Sequence, residues 1–150
     1  SGANTYFQGL AADGAKAALW ELWKACKLDE ASPLFGVQMW AFIHDEVMFE
    51  GPQETAHLWA PEASRIMVEA MSRYTPDVKQ EAEPAIMPRW LKKAAPAYVE
   101  GKLVPWVPGM IDDPASYTHE EYTSYLAQYA EFEETMREAY GDDFVPYGGE

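Results

Sequence analysis

Between Gly36 and Pro52 the chain runs Val37-Gln38-Met39-Trp40-Ala41-Phe42-Ile43, then His44-Asp45, then Glu46-Val47-Met48-Phe49-Glu50, and closes on Gly51-Pro52. Two apolar runs around a two-residue polar break predict a β-hairpin with His44 and Asp45 at its tip. The break lacks the Asn-Gly chemistry that favours tight turns, so its geometry has to be imposed by the surrounding packing. Whatever else the chain forms, it must bury one side of this hairpin and leave a polar tip at the surface.

The flanks supply the layers to do so. From Phe7 to Lys27 there is no proline, and Leu10, Ala11, Ala17, Ala18, Leu22, Ala25 and Cys26 keep helical spacing. Gly9 and Gly14 weaken that helix locally and allow another backbone close to it. Asp29 to Gly36 reads as a loop. Glu54 to Tyr74 predicts a second helix with Leu58, Ile66, Met67, Ala70 and Met71 as its apolar positions, and Pro61 marks a kink or a new first turn. Val78 to Met87 predicts a short strand. Pro96, Pro105, Pro108 and Pro114 then predict an extended strap. Thr118 with Glu121 is a capping-box pattern. It opens a helix to about Tyr140 whose stripe is Tyr122, Tyr125, Leu126, Tyr129, Phe132 and Met136. Residues 141–150 read as frayed. The expected class is α+β in three segments, 1–90, 91–117 and 118–150.

Charge separates these segments. The 150 residues hold 11 basic and 25 acidic groups, a net charge of −14. Residues 101–150 contribute −9 of it through Lys102 and Arg137 against 11 acids. Such a charge repels nucleic acid and acidic membranes at long range. No apolar run is long enough to span a bilayer, and an intracellular, cytoplasmic protein without a membrane partner is expected. The single cysteine, Cys26, excludes an internal disulfide and a CxxC zinc knuckle. His44, His57 and His119 are too far apart for an HExxH site.

Candidate chemistry gathers at the hairpin tip. Asp45 and Glu46 put adjacent carboxylates on rigid backbone, the oxygen ligands that hard cations such as Mg²⁺ share with phosphate-bearing substrates. A lone His-Asp-Glu tripeptide would be a polar turn. This one has company, because Gln8-Gly9-Leu10-Ala11-Ala12-Asp13 stands thirty-seven residues earlier, preceded by Asn4, at the start of a helix. By themselves Asn4 and Gln8 would read as caps of that helix, and Asp13 with Lys16 as a surface pair.

Taken together, the two segments resemble the C-terminal part of the palm of family A DNA polymerases, the DNA polymerase I-like enzymes of bacteria and phages. In that family an Asn-x-x-x-Gln-Gly-x-Ala-Ala-Asp segment opens a long helix. A strand–His-Asp-Glu–strand hairpin follows, then a helix and a short final strand. The resemblance covers about residues 4–90. Single-subunit RNA polymerases share a similar hairpin but typically carry Ser after His-Asp, so Glu46 favours a DNA polymerase.

The resemblance implies roles residue by residue. Asp45 matches the hairpin aspartate that ligates the catalytic Mg²⁺, and Glu46 a neighbouring carboxylate with a more peripheral part. His44 matches a residue at the primer end. Asn4 and Gln8 match amides that reach the minor groove of primer–template DNA, where every base pair offers acceptors. The implied reaction is transfer of a dNTP to a primer 3′-hydroxyl. Two-metal catalysis also needs a second aspartate and a fingers helix for the triphosphate, and neither motif occurs in these 150 residues. The chain is therefore expected to be inactive alone. It would be a subunit beside a larger polymerase chain, a piece of a longer protein, or a non-catalytic acidic interaction protein on a palm fold. Ser1 is compatible with an intein-splicing junction. Residues 4–9 also resemble the recognition site of a tag-removing protease, but Ala3 stands where that site needs glutamate, and the segment is treated as native.

Overall fold

The computed structural model describes residues 2–147, with side chains described from Ala11 onward. The chain is α+β: α1 (Gly2–Lys27), β1 (Gln38–Ile43), β2 (Glu46–Glu50), α2 (Ala56–Ser72), β3 (Ala97–Val99), β4 (Lys102–Val104), β5 (Ala115–Tyr117) and α3 (His119–Tyr140). It divides into two compact units, Ser1–Pro84 and Ala85–Glu150. None of the described helices is long and apolar enough to cross a membrane.

In the first unit α1 and α2 pack together, and the hairpin β1–β2 leans on them. Small residues make the approach close. Gly14, Ala18 and Ala25 on α1 and Ala56, Ala60, Ala63 and Ala70 on α2 are buried. A Cβ on Gly14 would stand 3.5 Å from Tyr74 Cβ and 3.7 Å from Met71 Cα, the close backbone approach expected of that glycine. Leu22, Cys26, Leu34 and Val37 seal the centre, and burial pushes the Cys26 thiol up from its ordinary pKa. The Gly36 amide donates to the Cys26 carbonyl at 3.0 Å, holding the loop end against the C-terminal turn of α1.

Four sequence expectations need correction here. The first helix begins at Gly2, so Asn4 and Gln8 lie within it rather than ahead of it. Leu58 is 54% exposed, and Trp59, Ala60 and Ala63 take the buried face of α2 instead. That helix packs through a small-residue face around one tryptophan, so Leu58 did not mark the core. Pro61 sits inside α2, which begins five residues earlier at Ala56, so it opens no new first turn. Val78–Met87 forms no strand; its one pairing is an isolated bridge between Ile86 and Pro105.

The second unit departs furthest from expectation. The proline-rich segment is no extended strap, because β3 pairs antiparallel with β4 and parallel with β5 in the order β4-β3-β5. Three of the four prolines flank a three-residue strand: Pro96 precedes β3, Pro105 follows β4 and Pro114 precedes β5, while Pro108 lies in the connection between β4 and β5. A proline beside a strand ends a ladder without removing a bond from it. Glu100 and Gly101, with φ of 51° and 78°, make the two-residue turn between β3 and β4. Trp106, Val107, Met110, Ala95 and Ala97 form the core, and Tyr117, Tyr122, Tyr125, Tyr129 and Tyr147 pack round it.

The Thr118–Glu121 capping box that opens α3 is present in both directions. The tail is not wholly frayed, since the Tyr147 amide donates to the Tyr129 hydroxyl at 3.0 Å. The Tyr147 ring meets Trp106 and Tyr129 edge-on.

Two predictions follow from this packing. A Cβ at Gly51 would stand 3.0 Å from Val37 Cγ2 and 3.2 Å from the Trp59 ring. Val37 is buried, and Trp59 is fixed by its indole donating to the Pro52 carbonyl at 3.1 Å. Gly51→Ala should therefore lower stability by roughly 1–3 kcal/mol, read from the urea midpoint. In the cap, the Thr118 amide and hydroxyl hold the Glu121 carboxyl below the usual carboxylate range. A depressed carboxyl contributes stability above its unfolded pKa and loses it as pH falls through the folded one. The melting temperature of the wild type should therefore fall more than that of Glu121→Gln between about pH 6 and pH 3.

Candidate metal and nucleic-acid site

The hairpin closes as the sequence predicts. Ile43 pairs with Glu46, which leaves His44 and Asp45 as a two-residue turn. His44 has a φ of 58°, the left-handed region that hairpin turns normally give to glycine or asparagine. Histidine enters that region more readily than most residues, yet an L-residue there stores about 1–2 kcal/mol of strain. Pairing shifts between Met39 and Ala41, so Trp40 is an extra residue in β1. Such a bulge bends its strand and raises the local twist.

Packing anchors the hairpin behind its tip. Met48 is buried in the middle of β2, and the Phe49 ring lies 6.4 Å from that of Trp59 on α2. Lys27 at the end of α1 donates to the Gln38 side-chain oxygen at 2.7 Å, tying the base of β1 to the helix. The base of the hairpin is packed and its tip exposed, including the apolar Phe42 and Ile43 beside the turn.

His44, Asp45 and Glu46 are therefore brought together, consecutive and exposed. None of the three takes part in a side-chain hydrogen bond or ion pair among the described residues. The hairpin from Gln38 to Glu50 carries three carboxylates and neither lysine nor arginine. A cation at the tip would relieve the repulsion between Asp45 and Glu46. Their oxygen chemistry fits a Mg²⁺ position completed by waters and substrate phosphate. It does not amount to a closed cage, since no group of three or more His, Cys, Asp or Glu among the described residues is placed to hold a metal. Asn4 and Gln8 share the backbone of α1, but their side chains lie outside the described residues.

A concave region lies between α1, the loop 29–33 and α2, a groove of about 430 Å³ lined by Glu21, Lys24, Glu62, Arg65, Glu69 and Arg73 among others. Its charges are already committed to each other. Arg65 bonds Glu62 and Glu69, both at 2.7 Å, and Arg73 bonds Glu69 at 2.9 Å. These guanidinium groups hold the Glu62 and Glu69 carboxyls below their ordinary range. The groove is a surface ladder across two helices rather than a rival site. Asp13 and Lys16 form the expected exposed pair at 3.5 Å.

Sequence reasoning missed the bulge at Trp40, for which no local residue signal exists. It also missed the parallel stack of Trp20 on Trp23, 5.2 Å between centroids, which their i, i+3 spacing on α1 could have revealed.

No family model, curated protein or solved structure matches the chain.

If His44 carries backbone strain for the sake of its side chain, replacing it should separate stability from function. His44→Gly is expected to hold or raise the urea midpoint, by up to about 1–2 kcal/mol, and His44→Val to lower it by a similar amount.

Proposed function

We propose that this chain is the C-terminal palm part of a family A DNA polymerase, working with fingers, thumb and a second catalytic aspartate that lie outside these 150 residues. One coincidence supports this most. The Asn4…Gln8-Gly9…Ala11-Ala12-Asp13 segment lies on a single long helix, and the hairpin that follows turns on His44-Asp45. Helix and hairpin stand in the order that the resemblance implies, while the short final strand that it also implies does not form over residues 78–87.

In this role Asp45 is the metal ligand and Glu46 supports it from beside. When bound, Mg²⁺ supplies the positive charge that phosphoryl transfer from a dNTP needs. Asp45 contributes a carboxylate on a strand turn whose base is packed, so little reorganisation accompanies the reaction. His44, on the adjacent turn position, faces the primer end. The resemblance implies that Asn4 and Gln8 serve as amide donors to the minor groove, where such groups test the shape of a base pair without reading its sequence. Two Mg²⁺ ions repel each other strongly, and one hairpin carboxylate pair cannot hold both. The remaining ligands come from the rest of the enzyme.

The alternative is a non-catalytic acidic interaction protein that kept a palm fold. The net charge of −9 over residues 101–150 favours it, since that charge opposes DNA.

Primer extension decides between the two. In the species purified from its own source with the chains that accompany it, Asp45→Ala should abolish extension while DNA binding and melting temperature stay unchanged. Extension that survives in Asp45→Ala overturns the assignment. Gln8→Ala should slow extension or lower fidelity by a smaller factor, and unchanged values of both would remove its groove role.

A further inference from the structure

We propose that the C-terminal half of α3 is a docking face for a basic, apolar-faced segment of a partner protein. The helix has 22 residues, about 33 Å at the usual rise, and its apolar stripe outruns the core that it covers. Tyr122, Tyr125 and Tyr129 pack on the Trp106–Val107–Met110 core, and Phe132, Met136 and Tyr140 are not among the residues that do. These three continue the same stripe at i, i+4 and i+8. Phe132 is 50% and Tyr140 60% exposed. Large apolar side chains aligned on one helix face beyond any core mark an interaction site more often than single exposed residues do.

Charge selects the occupant. Between His119 and Asp143 there are eight carboxylates and one arginine. Self-association through this face would bring two acidic helices together, and DNA or an acidic membrane would meet the same repulsion. A cationic protein segment with its own apolar face is drawn in by the same field and covers the stripe on arrival. The proposal does not depend on a polymerase role, and Asp45→Ala leaves this binding unchanged whether or not the chain polymerises DNA.

The test titrates the full chain into labelled helical peptides and reads fluorescence anisotropy. One peptide carries leucines on one face and lysines on the other. A second keeps the leucines with glutamates, a third keeps the lysines with serines, and a duplex oligonucleotide is the fourth probe. Only the leucine–lysine peptide should bind tightly. Phe132→Ser combined with Tyr140→Ser should weaken it by about tenfold or more, as loss of buried aromatic anchors does. Both positions are exposed, so circular dichroism should be unchanged. Should that variant misfold, Glu131→Gln with Glu134→Gln and Glu138→Gln should instead weaken binding and flatten its salt dependence. Equal binding of the serine–lysine peptide, tight binding of the glutamate peptide or the DNA, or undiminished binding by both variants overturns the proposal. A dimer in sedimentation that the aromatic variant abolishes overturns it as well.

Discussion

A two-stranded hairpin is marginally stable in water, so a chain that displays His44, Asp45 and Glu46 on one must brace it from behind. Here the brace is the close contact of α1 with α2, made possible by Gly14 and a run of buried alanines. Trp59 projects from that contact to meet Phe49 and crowd Gly51, and Val37 enters the core where β1 begins. Lys27 adds a polar tie at the base of β1. With the base fixed, the tip needs no interactions of its own, and its carboxylates stay open to a ligand.

How legible this was in the sequence varied with the length over which the physics acts. The hairpin and its two-residue turn were readable because alternation and a polar break are local signals, and the capping box at Thr118 was readable for the same reason. The positive φ of His44 and the bulge at Trp40 were not, since both arise when the strands pair and pack. Leu58 misled because hydrophobicity was taken as burial, whereas α2 buries its alanine face. The sheet of the second unit was hidden by its prolines. Four of them in one stretch look like a barrier to pairing, yet Pro96, Pro105 and Pro114 stand at strand ends, where no ladder bond is lost, and Pro108 lies in the connection between β4 and β5. The strands are three residues long, too short for any alternation to register.

The candidate site was legible as a resemblance rather than as a geometry. Nothing in a His-Asp-Glu tripeptide demands a metal, and the structure adds two exposed carboxylates, unpaired among the described residues, on a braced turn. What these two groups can do is bounded by their number. They can contribute to a Mg²⁺ position and cannot complete one. A chain of net charge −14 that took part in phosphoryl transfer would need a further carboxylate from elsewhere to complete the ligand set, and a basic partner to offset repulsion from DNA.

The most direct test is the native mass of the species purified from its own source, with its components sequenced. The account predicts an assembly in which these 150 residues are accompanied, in the same chain or another, by a fingers helix and a second aspartate able to share Mg²⁺ with Asp45. A homogeneous species of 16.9 kDa would contradict it, because Asp45 and Glu46 would then have nothing with which to complete the site.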